Sequence, residues 1–169
     1  MQNPSSRENE YLFQGKRKQL ILQLSKKGIQ NKNVLNAIGK IPRHLFFDYN
    51  TFLPALLDHA YSDKALPIGA GQTISQPYTV AFQTEHLNIL PGDKVLEIGT
   101  GCGYQTAVLI EMGAKVFSIE RQKELFNKTK FLLPNLGYKN QKLIFGDGYK
   151  GLPQFAPFDK IIVTAAAPF

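Results

Sequence analysis

The sequence predicts an α/β protein with a doubly wound, mostly parallel sheet and extra helices before its first strand. Three observations carry this prediction. Short apolar segments alternate with helical segments after residue 90, a Pro-Gly pair at 91–92 separates them from a helical first half, and glycines directly follow the first apolar segment. Strands that are joined through helices make right-handed crossovers, and these produce a parallel sheet covered on both faces.

The first helix is predicted from KRKQLILQLSKKG, which begins at residue 16. This segment places Leu20 and Leu24 on one face, and Gly28 follows as a stop signal. Residues 1–16 lack the apolar segment of a secretory signal, and we expect them to form a flexible N-terminal segment.

Two more helices are predicted before residue 90. Asn31 is a candidate cap for the segment NKNVLNAIGKI, and Pro42 ends it. Residues 42–72 are rich in Pro, Gly and aromatic residues and are predicted to be irregular. Pro77 suits the first turn of the next helix. The residues of that helix expected to point inward are Val80, Phe82 and Leu87.

Strands and helices alternate in the second half of the chain. The predicted strands are KVLEI, AKVFSIE, KLIFG and FDKIIVTAA, and the helices between the first three are GYQTAVLIEMG and RQKELFNKTKFLL. We therefore predict a single domain over 17–169. It comprises a helical part over 17–90 and an α/β part over 91–169.

The composition argues against several classes of protein. Hydrophobic residues make up 43% of the 169 residues, enough for one core, and no apolar run is long enough to cross a bilayer. One cysteine excludes an internal disulfide and favours the cytoplasm, and three scattered histidines make a metal site unexpected. The net charge of +7 is diffuse. Its densest cluster, at residues 16–18 and 26–27, is interpreted as a solvated helix face rather than a nucleic-acid patch.

Gly99, Gly101 and Gly103 follow the first strand of the α/β part. Glycines at a strand-to-helix turn let the backbone approach a cofactor, and ligands of doubly wound sheets lie beyond the carboxyl ends of the strands. The spacing is one residue short of the dinucleotide pattern G-x-G-x-x-G, and no Lys-Ser/Thr pair follows, which excludes a P-loop. Close packing alone is the alternative role for these glycines.

Acidic residues around this loop indicate a cofactor without phosphate. Glu97 precedes the loop, where negative charge disfavours a pyrophosphate and suits a cation. Glu120 ends the second strand and could accept both hydrogen bonds of a ribose diol, and Asp147 and Gly148 follow the third strand, where they could address an adenine edge. S-adenosylmethionine fits this pattern because it joins an adenosine to a sulfonium and an ammonium. A surface glutamate at 120 and an ordinary turn at 147–148 are the alternatives.

Several separated motifs resemble those of protein-L-isoaspartate O-methyltransferases, and they occur in the same order. They are KVLEIGTGCGYQTAVL, SIER, FGDG and FDKIIVTAAAP. The segment GQTISQPYTVAFQTEHL resembles a signature that general methyltransferases lack, and IPRHLF and AYSDKALPIGAGQ are similar too. The resemblance covers roughly residues 17–168 and implies a Rossmann-like methyltransferase fold.

The resemblance implies methyl transfer from S-adenosylmethionine to the α-carboxylate of isoaspartyl residues in damaged proteins. Ser75 occupies the position of the family's active-site serine in T-I-S, and we expect it to orient the acceptor carboxylate. A carboxylate with a pKa near 3.5 is already ionised, so no general base is needed. Capping of the helix at Pro77 is the alternative role for Ser75. The other pocket residues implied by the resemblance are Thr73, Ile74, Gln76, Tyr78 and, in the glycine loop, Thr100.

The chain departs from the family pattern at two places. Cys102 stands where the family commonly has serine in the glycine loop, and the chain ends at Phe169, before the family's last strands. We therefore expect a sheet that is incomplete at its C-terminal end, with FDKIIV as a hydrophobic edge. The expected assembly is a monomer, unless a partner chain covers that edge.

Three rival functions remain open on the sequence. A methyltransferase that acts on nucleic acid would suit the basic charge, but residues 164–169 lack the polar Pro-Pro-aromatic motif of amino-directed enzymes. A module that binds the cofactor without turnover, and a nicotinamide-dependent oxidoreductase, are the others. The expected partners are isoaspartyl peptides and proteins, with neither nucleic acid nor membrane among them.

Overall fold

A computed structural model describes residues 4–47, 57–139 and 141–165. The helices are α1 (Pro4–Lys26), α2 (Lys32–Lys40), α3 (Pro77–Leu87), α4 (Tyr104–Glu111) and α5 (Lys123–Asn135). The strands are β1 (Leu66–Gly69), β2 (Gln72–Ile74), β3 (Lys94–Ile98), β4 (Lys115–Glu120), β5 (Gln141–Phe145) and β6 (Lys160–Val163). Short 3-10 turns lie at Arg43–Phe46, Gly148–Lys150 and Pro153–Phe155.

The main sheet has the strand order β5-β4-β3-β6, and every neighbouring pair is parallel. This confirms the predicted α/β class. Helix α4 connects β3 to β4 and α5 connects β4 to β5. Strands β4 and β5 lie on one side of β3, and β6 lies on its other side. Doubly wound sheets bind ligands beside the strand where the strand order reverses in this way.

Strand β6 forms one edge of this sheet, as the sequence predicts. It pairs only with β3 among the strands that the structure describes. Ile161 is 56% exposed and Val163 is 44% exposed. Among the described residues this edge is therefore apolar, and no strand pairs with its outer side.

The first helix begins at Pro4, well before the predicted start at residue 16. Proline is tolerated in the first turn of a helix because its missing N–H has no partner there. Phe13 is partly buried against the core, and its ring stacks on His44 with 4.0 Å between centroids. Packing of this side chain extends the helix into the segment 1–16 that we expected to be flexible.

A β-hairpin occupies part of the region that was predicted to be irregular. Strands β1 and β2 pair antiparallel, with Leu66 opposite Ile74. The turn between them has positive φ at three successive residues, Gly69, Ala70 and Gly71, and an alanine in that conformation gave no turn signal in the sequence. The predicted irregular segment 42–72 also includes residues 48–56, which lie outside the described residues.

Helix α3 turns Val80 and Leu87 inward, as predicted, but not Phe82. Val80, Ala81 and Thr84 are buried, whereas Phe82 is 44% exposed. The Phe82 ring lies between Tyr78 and His86, with centroids 6.0 and 4.1 Å away. A surface aromatic cluster on this helix therefore replaces the expected core contact.

Candidate cofactor and acceptor site

A cavity of about 500 Å³ opens at the carboxyl ends of the sheet strands and is bordered by the hairpin β1–β2. Its size suits a small-molecule cofactor. The sequence-predicted residues that line it are Thr73, Ile74, Ser75, Gly99, Thr100, Gly101, Glu120, Asp147 and Gly148. The glycine loop, both acidic turns and the T-I-S segment thus meet at one cavity.

The backbone of the glycine loop after β3 makes hydrogen bonds with Ile119 and with Thr164. The N–H groups of Gly99 and Thr100 donate to the Ile119 carbonyl at 2.9 and 3.2 Å. The hydroxyl of Thr164 donates to the Gly99 carbonyl. A Cβ at Gly99 would lie 2.7 Å from that of Ala165, and its φ is +101°, so only glycine fits.

Glu120 connects the second strand of the α/β part to the glycine loop. Its side chain is 5% exposed, and its Oε2 accepts from the Gly101 N–H at 2.7 Å. Its Oε1 accepts from the Gln122 N–H at 2.7 Å. Each carboxylate oxygen has a further lone pair, so Glu120 can hold the loop and still accept hydrogen bonds from a ligand.

Asp147 and Gly148 form the wall after β5. The Asp147 carboxylate accepts from the Tyr149 N–H at 2.9 Å and begins a 3-10 turn. A Cβ at Gly148 would lie 2.4 Å from Cγ2 of Ile98. This turn therefore packs closely against the end of β3, next to the glycine loop.

Ser75 lies on the hairpin side of the cavity, immediately before α3. Its hydroxyl makes no hydrogen bond with the described residues, and no side chain at the N-cap position of α3 caps that helix. Instead the N–H of Tyr78 donates to Asp63 Oδ1 at 2.7 Å. The capping role that the sequence left open for Ser75 is thus taken by Asp63, which leaves the hydroxyl free.

Arg43 donates a hydrogen bond to the backbone of Ser75, and the sequence did not predict this contact. Its Nη2 donates to the Ser75 carbonyl at 2.8 Å and its Nε to the Ala60 carbonyl at 3.0 Å. The side chain is fully buried, and its guanidinium carbon lies 4.6 Å from the centre of the Tyr104 ring. Burial lowers the pKa of Arg43. In the sequence, Arg43 stands out only as part of the motif IPRHLF, and that motif does not indicate which residues Arg43 contacts.

Four of the predicted cofactor residues do not line the cavity: Gln76, Tyr78, Glu97 and Gly103. Gln76 precedes the first residue of α3, and the ring of Tyr78 is tilted against that of Phe82 with 6.0 Å between centroids. A Cβ at Gly103 would lie 2.8 Å from Cγ2 of Thr129. Gly103 therefore serves helix packing, the alternative that the sequence left open.

Glu97 lies beneath the glycine loop, fully buried in β3. Thr106 donates a hydrogen bond to its Oε2, while its Oε1 has no partner among the described residues. Burial raises the pKa of Glu97 to about 7, with a smaller contribution from the charge of Glu120. The negative charge that the sequence predicted for Glu97 therefore lies beneath the loop, and the fraction of Glu97 that is ionised depends on pH.

Several lining residues escaped the sequence analysis, namely Tyr104, Gln105, Tyr149 and Thr164. Cys102 also lines the cavity. Burial raises the pKa of its thiol to about 11, so the side chain is a small neutral group at neutral pH. Of the helices that the structure describes, none combines the length and apolar character needed to span a membrane.

Comparison with known sequences gives a consistent family. The profile of the protein-L-isoaspartate(D-aspartate) O-methyltransferases matches residues 15–169. A protein-L-isoaspartate O-methyltransferase of Christiangramia forsetii is 63% identical over 161 residues, which is 95% of this chain and 73% of that protein. The enzyme of the same name from Flavobacterium psychrophilum is 66% identical over 155 residues, covering 92% of this chain and 70% of the relative.

Solved structures of proteins with the same name have the same fold. One protein-L-isoaspartate O-methyltransferase superposes with a TM-score of 0.79 at 34% identity, covering 88% of this chain and 47% of that longer chain. A protein from Plasmodium falciparum described as a putative protein-L-isoaspartate O-methyltransferase, in complex with S-adenosyl-L-homocysteine, gives a TM-score of 0.72 at 26% identity. The match covers 89% of this chain and 74% of the Plasmodium chain.

Proposed function

Because this chain belongs to the protein-L-isoaspartate(D-aspartate) O-methyltransferase family, we propose that it methylates the free α-carboxylate of L-isoaspartyl residues in damaged proteins. The observation that carries the proposal is that Ser75 and the glycine loop line one cavity. A methyl donor and an acceptor that are held in one cavity can react as neighbours rather than as separate molecules in solution.

The cavity fits S-adenosylmethionine, which supplies an electrophilic methyl group on a positively charged sulfur when it is bound. Glu120 has lone pairs for a ribose diol, and Asp147 and Gly148 form a wall for the adenine. The glycine loop has left-handed backbone at Gly99 and Gly101, which keeps Cβ atoms out of the cavity. Gln105 also lines the cavity, and its buried Oε1 accepts no hydrogen bond from the described residues.

The acceptor needs orientation rather than activation, because a carboxylate is ionised at neutral pH. The Ser75 hydroxyl makes no hydrogen bond within the described part of the chain, and Arg43 donates to the Ser75 carbonyl at 2.8 Å. It can therefore donate to one carboxylate oxygen. The apolar neighbours Ile68, Ile74 and Val80 keep the same part of the cavity poor in water, which favours a reaction in which two opposite charges disappear.

A substrate comparison separates this proposal from the nucleic-acid and binding-only alternatives. The chain is incubated with labelled S-adenosylmethionine and either an isoaspartyl peptide, an RNA mixture or a DNA mixture. We expect label in the peptide alone. Label in nucleic acid, or cofactor binding without transfer to any substrate, would contradict the proposal.

We also propose that the enzyme works as a monomer in the cytoplasm. Its single cysteine suits a reducing compartment. Light scattering after size exclusion should give the mass of one chain, 18.9 kDa. A dimer mass would favour pairing through the apolar β6 edge.

A further inference from the structure

Gln105 is the second residue of α4, and its side chain lines the cavity while being only 6% exposed. Its Nε2 donates to Oγ1 of Thr84 on α3 at 3.0 Å. Its Oε1 is buried and has no hydrogen-bond partner in the described part of the chain. A buried acceptor without a partner is costly, and because its residue lines the cavity, a small rotation of the side chain would offer this oxygen to a ligand.

The orientation of this amide follows from the hydrogen bonds of Thr84. The Thr84 hydroxyl has one proton, and it donates that proton to the Val80 carbonyl at 2.7 Å. Toward Gln105 the hydroxyl can therefore only accept, which requires the NH₂ side of the amide to face it. The carbonyl oxygen of Gln105 is thus the atom left for a ligand, and that ligand must be a donor.

The position of Gln105 selects among the donors of the cofactor. The ribose and adenine donors are assigned to Glu120 and Asp147, at the ends of β4 and β5. Gln105 is tied instead to α3, which packs against β6 at the other edge of the sheet. The donor that remains is the ammonium of the amino-acid portion.

The neighbouring residue Thr106 donates to Oε2 of Glu97, which lies in β3 beneath the glycine loop and does not line the cavity. When this buried carboxylate is ionised, it favours a cation nearby over a neutral peptide N–H.

We propose that Gln105 binds the cofactor's ammonium group through its Oε1. This inference rests on the proposed function only in taking S-adenosylmethionine as the cofactor. It adds a binding residue that places the methionine end of the cofactor between the glycine loop and α3.

The test measures binding by calorimetry, without turnover. The ligands are S-adenosylhomocysteine and its deamino analogue, in which hydrogen replaces the ammonium, and the variants are Gln105→Met and Gln105→Glu. For Gln105→Met we expect affinity for S-adenosylhomocysteine to fall by about 10–100-fold, the range for a hydrogen bond to a charged group. Its affinity for the deamino analogue should equal that of the wild type. Gln105→Glu keeps an acceptor oxygen and should retain the preference for the amino ligand.

Controls separate this inference from a packing effect and from the proposed function. Gln141→Met removes another amide whose Oε1 is buried without a partner among the described residues, but Gln141 does not line the cavity, and its affinity should stay within about threefold of the wild type. Equal losses for both ligands in Gln105→Met, or no loss, would overturn the inference. A raised KM for isoaspartyl peptide with unchanged S-adenosylhomocysteine affinity would also overturn it, in favour of a peptide contact. If the wild type does not bind S-adenosylhomocysteine, the cofactor assignment itself fails.

Discussion

The roles proposed for individual residues of the site depend on single hydrogen bonds. Ser75 has a free hydroxyl above a backbone carbonyl that Arg43 holds, and Glu120 accepts two backbone hydrogen bonds while facing the cavity. Both residue types were predictable from motif and spacing. Their supports were not, because Arg43 and Asp63 reach Ser75 and α3 only through the tertiary fold.

Replacing Ser75 by alanine should slow methyl transfer and leave cofactor binding nearly intact. We expect turnover to fall by about 10–1000-fold, the range for the loss of one positioned hydrogen bond. The measurement is the initial rate with an isoaspartyl peptide, together with calorimetry of S-adenosylhomocysteine. Ser25→Ala, on the exposed face of α1, is the control and should be unchanged. An equal rate in Ser75→Ala would exclude the orienting role.

Replacing Glu120 by alanine should weaken cofactor binding by about 1.5–3 kcal/mol, since hydrogen bonds to a charged group are lost. The loop also loses its bond from the Gly101 N–H, which acts in the same direction. Calorimetry with S-adenosylhomocysteine measures the change. Glu111→Ala removes a surface carboxylate that pairs with Lys40 outside the cavity and should have no effect. Unchanged affinity in Glu120→Ala would refute the ribose assignment.

Glu97 should make the stability of the ligand-free protein depend on pH. Its folded pKa of about 7 exceeds its ordinary value of 4.5 because of burial. The folded state therefore binds this proton more tightly than the unfolded state does. The stabilisation is complete below about pH 4.5 and is lost as pH rises toward 7, by about 3 kcal/mol in total.

Urea unfolding of the wild type and Glu97→Gln at pH 5 and pH 8 tests this linkage. The difference in unfolding free energy, wild type minus variant, should decrease between the two pH values. His44, whose pKa burial lowers to about 4, contributes the opposite slope in both proteins and cancels in the difference. The exposed Glu124→Gln provides a control without the slope. A difference that is independent of pH would contradict the account.

The shape of the cavity depends on how closely its turns pack against the neighbouring secondary-structure elements. The strands and helices of the α/β part were predictable because alternating apolar strands and amphipathic helices leave a strong local pattern. The hairpin β1–β2 was missed because Ala70 adopts a positive φ that only its tertiary setting supports. On α3 the prediction was wrong only for Phe82, which packs on Tyr78 and His86 at the surface.

Two glycines of the turn after β5 give a matched test of this packing. A Cβ at Gly148 would meet Ile98 Cγ2 at 2.4 Å, while one at Gly146 would meet nothing within 4 Å. We expect Gly148→Ala to lower the unfolding free energy by about 1–3 kcal/mol through overpacking. Gly146→Ala should stay within about 0.5 kcal/mol of the wild type. Thermal unfolding of the ligand-free proteins measures both, and equal changes would show that the close approach does not constrain the turn.

Because the whole sheet is parallel, motifs that are far apart in the sequence form one site. Strand ends at Ile98, Glu120 and Phe145 meet at one edge because the strands are parallel. The adenosine side of the site could thus be predicted from residue spacing alone. The acceptor side could not, since Ser75 reaches the cavity from the hairpin and helix α3, and only family resemblance pointed to it.

The central claim is that the chain transfers a methyl group to an isoaspartyl carboxylate. Two peptides of identical sequence, one with isoaspartate and one with aspartate at the same position, test it with labelled S-adenosylmethionine and mass spectrometry of the products. We predict one methyl group on the α-carboxylate of the isoaspartyl peptide and none on its twin. Equal labelling of the two peptides, or labelling of the aspartyl peptide alone, would contradict the account.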